Sequence, residues 1–283
     1  MPNYCPPKLE DAPSTVIQAA NTALRFELAE LWRYRELLGF LAWRDLRVRY
    51  RQTLLGAAWA LLEPLLGVVL FTLIFNRLAG IRAGEIPYPL YCGTGVLLWT
   101  FFGRALRSTT LSLVANAGLV TKAYFPRLVL PLAAETATLV DFLCGLATYF
   151  VLVAFYGHAP GPAVLTLPLW LLLAALNALG VGLALGALNV RFRDVSQAVP
   201  FLTQAWMFAT PVVYPLRAVP VRWMGLYMLN PMVGVTEGLR WALLPRYEFD
   251  VHLLMPSPVV GLMVLVLGLA WFRRTERRFA DIV

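Results

Sequence analysis

The sequence has few charged residues. They make up 14% of the 283 residues, against about 25% in a soluble domain, while hydrophobic residues make up 59% and the mean hydropathy is +0.67. This balance excludes a soluble protein and predicts an integral membrane protein. Lys8 and Lys122 are the only lysines, so arginine carries most of the net charge of +8. Membrane topology explains this excess better than a nucleic-acid partner, which we do not predict.

Cysteine and catalytic motifs are also lacking. Cys5, Cys92 and Cys144 do not have the spacing of a disulfide framework or a metal site. The sequence contains no G-x-x-x-x-G-K-S/T phosphate loop, no H-E-x-x-H and no G-x-S-x-G. We therefore predict that the chain is not an enzyme and binds no cofactor or metal of its own. The first long apolar run begins only near Leu54, too late for a cleavable signal peptide.

Long apolar runs are what the sequence does contain. A bilayer-spanning helix needs about 20 mostly apolar residues, and backbone in lipid must satisfy its own hydrogen bonds. Six runs meet or approach this length. We therefore predict an all-α integral membrane protein with six transmembrane helices. The predicted spans are Leu54–Phe75, Tyr88–Val114, Leu128–Tyr156, Ala163–Leu188, Ala198–Leu216 and Pro256–Phe272.

The placement of basic residues predicts the orientation in the membrane. With both termini inside, fifteen arginines and lysines flank the cytoplasmic side and six lie in the outer loops. Cytoplasmic loops carry this kind of excess. We therefore predict that residues 1–34 form a cytoplasmic N-terminal segment and residues 273–283 a cytoplasmic tail.

Residues 217–255, between the fifth and sixth predicted spans, do not form a simple polar loop. They contain two apolar, helix-like stretches, each too short to cross a bilayer. Asn230 can cap the second helix, and Pro231 suits its first turn. The pattern predicts an outer re-entrant hairpin, with a surface loop on lipid headgroups as the alternative.

A basic helix precedes the first span. At helical spacing, one stripe holds arginines and a neighbouring stripe holds Trp43, Leu46 and Tyr50. We predict that residues 35–53 form an amphipathic interfacial helix whose arginines reach lipid phosphates. A plain positive-inside anchor is the alternative. Asp45 and Arg49 have the spacing of an ion pair within the helix. The arginines of the stripe are Arg44, Arg47 and Arg51.

Several charged residues fall inside the predicted spans, where a charge usually faces a partner or a cavity. Glu63 is followed by Pro64, which predicts a kink in the first span. These charges lie at similar predicted depths. They indicate either a structural pairing network or a path for protons or substrate. The other four are Arg104, Arg107, Glu135 and Asp141.

The loop after the second span resembles a docking element. Asn116 is placed to start a short helix and Pro126 to follow its end. The apolar side chains between them are predicted to form an exposed patch that binds a protein partner, or else rests on lipid. The patch consists of Leu119, Val120, Ala123 and Tyr124.

Four segments in this order resemble the membrane subunit of ABC-2 type exporters, and most closely its polysaccharide branch. They are RDLRVRYRQTLLGAAWALLEPLL from Arg44, LVANAGLVTKAYFPR from Leu113, LNVRFRDVSQAVPFLTQAWMFATPVVYP from Leu188 and LNPMVGVTEGLRWALL from Leu229. The resemblance covers most of the chain, from about Arg44 to Arg274. One small departure is Gly118, where many relatives have asparagine.

The resemblance implies a homodimer in the bacterial inner membrane, bound to two copies of a separate ATPase that holds ATP and Mg²⁺. It implies export of a polysaccharide carried on undecaprenyl pyrophosphate. It assigns residues 35–53 as the gate helix, 114–127, including Lys122, as the segment with the ATPase-coupling helix, and 217–255 as the outer gate. An exporter of drugs or lipids, a proton-coupled secondary transporter and a membrane glycosyltransferase are the alternatives.

On this reading, Arg44, Arg47 and Arg51 are predicted to hold the lipid pyrophosphate. Aromatic rings stack against sugar faces, so aromatic residues in the spans are candidates for the channel lining, together with the intramembrane charges. Packing or a position in the membrane interface is the alternative for each ring. The aromatic candidates are Trp59, Trp99, Phe102, Tyr149, Trp206 and Tyr214.

Overall fold

The structure is a computed structural model that describes residues 28–51, 58–245, 247–276 and 279, without the side chains of residues 28–30 and 59–61. Most of the predicted N-terminal segment and part of the tail lie outside these residues. All regular elements within them are helical, which confirms the all-α part of the predicted fold class. The α-helices are α1 Leu28–Arg33, α2 Arg35–Tyr50, α3 Ala58–Phe71, α4 Tyr88–Ala115, α5 Ala117–Lys122, α6 Val129–Phe155, α7 Leu167–Arg191, α8 Val195–Phe208, α9 Val221–Tyr227, α10 Pro231–Leu243, α11 Val251–Leu254 and α12 Pro256–Glu276.

Three stretches of the described chain are long and apolar enough to cross a membrane by themselves: Val129–Phe155, Pro162–Arg191 and Val251–Glu276. They correspond to the third, fourth and sixth predicted spans. The second, α4, has the length, at 28 residues, but it carries Arg104 and Arg107. The count of six passes therefore stays a prediction.

The first predicted span, Leu54–Phe75, begins in residues 52–57, which lie outside the described part, and its helical structure continues past Phe75 to Leu78. Pro64 lies inside α3, which continues as a π-helix over Thr72–Leu78. The fifth span was predicted as Ala198–Leu216, and these bounds are wrong because α8 covers Val195–Phe208. Its 14 residues span about 21 Å at the usual helical rise. The chain after Phe208 turns because Pro211 and Pro215 cannot continue a hydrogen-bonded helix.

Helix α4 lies at the centre of the fold and contacts α3, α6, α7, α8 and α10, while α7 also packs closely on α12. Glycines allow the closest approaches. A Cβ atom on Gly268 would lie 2.0 Å from the carbonyl oxygen of Gly180, and one on Gly95 would lie 2.3 Å from that of Val212. Small residues of this kind let membrane helices pack backbone to backbone.

Two large buried clusters fill most of the interior of the described chain, and a third, small one consists of Met228, Val233 and Leu254. The larger of the two large clusters surrounds α4 and includes residues of α6, α7 and α10. The smaller one joins α2 and α5 to the start of α6, the end of α7 and Phe272 of α12. Leu41 and Ala42 bring α2 into this smaller cluster, so one face of α2 packs against protein. Its other face exposes Phe40 and Trp43.

Candidate functional site

A network of charged side chains joins four helices, and Asp141 of α6 is its buried centre. The side chain of Asp141 is only 3% exposed. Its Oδ2 accepts hydrogen bonds from Nη1 of Arg49 and, at 3.4 Å, from Nη1 of Arg104, while its Oδ1 accepts the hydroxyl of Tyr50. A buried carboxylate needs such partners because an unpaired one is costly.

Arg104 extends this network to the first span. Its Nη2 donates to Oε2 of Glu63 on α3. Glu63 is the accessible acid of the network, with 54% of its side chain exposed. We call Arg49, Tyr50, Glu63, Arg104 and Asp141 the ion-pair network. It holds α2 to α3, α4 and α6 through charge-assisted hydrogen bonds, which are stronger than neutral ones.

The sequence predicted three members of this network and missed two. Glu63, Arg104 and Asp141 were candidates because they lie inside predicted spans. Arg49 was instead predicted to pair with Asp45 within α2, and that prediction is wrong. Asp45 binds Arg44 at 2.7 Å, while Arg49 binds the more deeply buried Asp141. Spacing within one helix cannot reveal a partner on another helix, so Arg49 and Tyr50 carried no sequence signal for this contact.

Two predicted intramembrane charges stay outside the network. Arg107 is exposed and makes no ion pair with any residue that the structure describes. Glu135 of α6 is buried at 5% exposure, and its Oε1 has no hydrogen-bond partner in the described chain. The structure therefore brings together only part of the predicted set.

The three arginines of the α2 stripe lie in two different environments. Nη2 of Arg44 donates to Oδ1 of Asn116 at 2.7 Å, in addition to its contact with Asp45. Asn116 is the residue between α4 and α5, so this bond connects α2 to the predicted coupling segment. Arg47 and Arg51 are exposed. The amphipathic, interfacial character of α2 stays a prediction.

The predicted apolar patch on the coupling segment is wrong in its composition. Val120 is 5% exposed and belongs to the smaller buried cluster, against which Leu119 also packs. The helix ends at Lys122, and Ala123 is extended. The helical spacing therefore does not continue to Tyr124, which is 76% exposed. Lys122, Ala123 and Tyr124 are exposed, as are Gly118 and Thr121.

Aromatic candidates for the channel lining lie mostly in the interior. Trp99, Phe102 and Trp206 contact one another, with ring centroids 5.1 to 6.4 Å apart, and Trp99 and Phe102 are buried. Tyr149 is also buried and donates to the carbonyl of Leu90 at 3.2 Å. These three buried rings pack the core of the single chain. The hydroxyls of Tyr214 and Tyr227 lie 2.5 Å apart. The Trp59 side chain lies outside the described part.

A second charged centre, which the sequence did not reveal, lies near the predicted outer hairpin. Arg240 of α10 is completely buried, although the predicted topology places it among the arginines of the outer loops. Its Nη1 donates to Glu237 at 2.5 Å, and its guanidinium carbon lies 3.8 Å from the centroid of the Tyr91 ring. The Tyr247 hydroxyl donates to the other oxygen of Glu237 at 2.5 Å. Burial, and then the Glu237 carboxylate, raise the pKa of Tyr247.

Side chains hold three successive carbonyls of the turn after α8. Arg240 donates to Val212 O at 2.6 Å, Tyr88 to Val213 O at 2.6 Å and Tyr91 to Tyr214 O at 3.1 Å. Two of these donors come from α4 and one from α10. Buried carbonyls outside a helix need such donors, so the turn is bonded firmly to both helices. We call Val212–Tyr214 with these donors the carbonyl strap.

Asn230 ties the hairpin to α8 and caps α10 as predicted. Its Oδ1 accepts from the backbone of Met232 at 3.0 Å and from Trp206 Nε1 at 2.9 Å. Its Nδ2 donates to Ala209 O and to Thr210 Oγ1, each at 2.9 Å. Two short helices, α9 and α10, therefore do occupy the predicted hairpin segment, while its re-entrant position in a membrane stays a prediction.

A cavity of about 940 Å³ lies beside this second charged centre. Its lining includes Tyr91, Arg217, Glu237, Tyr247 and Asp250. Within the residues that the structure describes, no three His, Cys, Asp or Glu side chains are grouped closely enough to hold a metal ion. We therefore assign no metal ligands among these residues.

The described chain combines apolar helices of membrane-spanning length with buried charges that bind one another between helices. These features are those of an integral membrane protein whose helices are joined by buried ion pairs. The ABC-2 type transporter family matches residues 36–244, which is more than half of the sequence. The chain therefore belongs to the ABC-2 type transporter family, whose members are transport subunits.

Named relatives extend the match to most of the chain. The chain is 31% identical to the O-antigen export system permease protein RfbA of Myxococcus xanthus over 255 residues, which cover 89% of this chain and 97% of the relative. It is 28% identical to RfbA of Klebsiella pneumoniae, with 88% and 95% covered. It is 27% identical to the polysialic acid transport protein KpsM of Escherichia coli, with 82% and 91% covered. The resemblance seen in the four sequence segments is confirmed.

Proposed function

We propose that this chain is the membrane-spanning subunit of an ATP-driven exporter that moves polysaccharide across the bacterial inner membrane. The family match over residues 36–244, together with relatives named for O-antigen and polysialic acid transport, carries the proposal. Two copies of the chain bind two copies of a separate ATPase, which holds ATP and Mg²⁺. The polysaccharide travels on undecaprenyl pyrophosphate.

The proposed topology has six passes with both termini in the cytoplasm. The excess of arginine and lysine on that side supports it. In this arrangement α9 and α10 form the outer hairpin, because α9 has 7 residues and α10 has 13, each too short to cross a bilayer. The two charged centres then lie at different levels, with the ion-pair network toward the cytoplasmic side and Arg240 toward the outside.

Arg44, Arg47 and Arg51 are the proposed contacts for the pyrophosphate of the carrier lipid. The exposure of Arg47 and Arg51 supports this role, and guanidinium groups suit phosphate oxygens. Arg44 already binds Asp45 and Asn116, so its part is to link lipid binding at α2 to the coupling segment.

The coupling segment is the proposed docking site for the ATPase. The exposure of Lys122 and Tyr124 supports it, as does the burial of Val120, which fixes α5 to the rest of the fold. A movement of α5 is transmitted to α2 through the hydrogen bond between Asn116 and Arg44, at 2.7 Å. The segment therefore provides a direct mechanical connection between a cytoplasmic partner and the helix that carries the exposed arginines.

The family match and the relatives named for export support an exporter over a proton-coupled transporter. Glu63 and Asp141 each bind an arginine, as in a structural pairing network between helices. An exporter of drugs or other lipids remains the nearest alternative within the family.

Deletion of the gene in its own host tests the proposed function. We expect lipid-linked polysaccharide to accumulate inside the cell and to disappear from the surface, as measured by immunoblotting of whole and fractionated cells. A plasmid copy of the gene should restore the surface glycan. Unchanged surface glycan together with increased sensitivity to drugs would favour the alternative exporter.

A further inference from the structure

The ion-pair network leaves guanidinium nitrogens unused. Within the described chain, the side-chain bonds of Arg49 use only Nη1, and those of Arg104 use Nη1 and Nη2. Both guanidinium groups are partly exposed, at 33% and 26%, although the carboxylate that anchors them is buried. The network thus holds accessible N–H donors in fixed positions on a buried support.

The surroundings of Arg104 also carry an excess of positive charge. Arg107 lies one helical turn further along α4, is exposed and has no ion pair among the described residues. Three arginines, Arg49, Arg104 and Arg107, therefore stand against two acids, Glu63 and Asp141. An excess cation at membrane depth favours an anionic partner, and phosphate is a frequent partner of arginine.

The Glu63 carboxylate binds the Arg104 guanidinium in the way that a phosphate oxygen can. Its carboxylate accepts from Nη2 of Arg104, yet 54% of its side chain is exposed, against 3% for Asp141. An exposed ion pair contributes little stability. Asp141 binds Arg49 closely and Arg104 at 3.4 Å, whereas Glu63 is the exposed partner that another anion can replace.

We propose that Arg49 and Arg104, with Arg107 beside them, form a binding site for a lipid-borne phosphate, which Glu63 occupies until the headgroup displaces it. This site is separate from the exposed arginines of α2, and only the choice of the carrier lipid as ligand rests on the proposed function. The same chemistry suits an anionic phospholipid. Displacement of Glu63 breaks its ion pair with Arg104 and leaves the apolar packing of α3 on α4 in place, while Asp141 still binds Arg49 of α2.

Lipid binding to the full chain in phosphatidylcholine nanodiscs tests the site. The probes are undecaprenyl pyrophosphate and, separately, phosphatidylglycerol. We expect Glu63→Gln to tighten binding about three- to fivefold, since it removes an exposed competing pair. We expect Arg104→Lys to weaken binding about tenfold through the loss of the planar guanidinium. Glu85→Gln is the matched control, because it removes the same charge outside the network and should leave binding unchanged.

The pattern of results decides between the sources of the phosphate. Tighter binding of undecaprenyl pyrophosphate alone assigns the carrier lipid, and equal tightening for both probes assigns phospholipid headgroups. Binding that is the same in wild type, Glu63→Gln and Arg104→Lys overturns the site. That last result leaves polysaccharide export itself untouched, because export is measured in cells by the surface glycan.

A measurement on the unaltered chain covers the case in which a variant does not fold. Phenylglyoxal modifies accessible arginines, and peptide mass spectrometry reports each position. We expect undecaprenyl pyrophosphate or phosphatidylglycerol to protect Arg104 and Arg107, while Arg222 of α9 reacts equally with and without lipid. Equal modification of Arg104 and Arg107 in all lipid conditions overturns the proposal.

Discussion

Replacement of Arg240 by methionine should strongly destabilise the fold. Arg240 is completely buried, and its loss leaves the carboxylate of Glu237, itself 5% exposed, without its cation. Breaking a buried ion pair on one side costs about 3–5 kcal/mol. The loss of the bond to Val212 O adds about 1 kcal/mol or more. The Nε of Arg240 has no partner within the described residues, so removing that atom recovers a small part of the cost.

The double variant Arg240→Met/Glu237→Leu separates charge from packing. It removes both members of the pair, and an apolar replacement of a buried pair is often nearly neutral. Two losses remain, because Val212 O and the Tyr247 hydroxyl no longer have their partners. We therefore expect the double variant to recover at least half of the stability that the single variant loses.

Thermal unfolding of the detergent-purified protein measures both effects. A loss of about 4 kcal/mol lowers the Tm by about 10 °C for a chain of this size. Arg222→Met is the matched control, since Arg222 is exposed on α9 and stacks on Trp223 at 5.7 Å, and its Tm should change by no more than about 2 °C. The reasoning is refuted if Arg240→Met lowers the Tm no more than this control, or if the double variant is less stable than the single one.

Three further predictions concern the coupling segment, the arginine stripe and the helix contacts. Tyr124→Asp should leave the protein folded but reduce export driven by the ATPase. Val120→Asp should instead lower the Tm, because the new charge is buried. Export assays together with thermal unfolding distinguish the two variants. Replacement of Arg44, Arg47 and Arg51 by lysine should keep insertion and assembly but reduce surface glycan sharply, and unchanged glycan would leave these residues as topology signals. Gly268→Ala should lower the Tm because its Cβ would meet Gly180 O at 2.0 Å, while Gly118→Ala, with no atom within 4 Å, should not.

The sequence predicted the elements that local residue patterns determine. The bounds of α4, predicted as Tyr88–Val114 and observed as Tyr88–Ala115, followed from an apolar run after a proline. The cap at Asn230 followed from the Asn-Pro pair. The fifth span failed because hydropathy continues through Pro211 and Pro215 while the helix does not.

Contacts between helices could not be predicted from the sequence. Arg240 had the same local appearance as an outer-loop arginine, apart from its three-residue spacing from Glu237, and it is buried by the packing of α10 against its neighbours, which include α4, α7 and α12. Arg49 was assigned to Asp45 because local spacing cannot weigh a nearby exposed acid against a distant buried one. The apolar patch failed for a similar reason, since an apolar side chain such as Val120 suits the protein interior as well as a docking surface.

On the proposed topology, the carbonyl strap determines which parts of the outer face can move separately. The turn at Val212–Tyr214 is bonded to both α4 and α10, so these three elements move as one body. Spin labels on α4 and α10 should therefore keep a constant separation through the transport cycle. Any change in the width of the outer opening has to arise between this body and its surroundings, and the position of the strap becomes a fixed reference point against which such a movement can be measured.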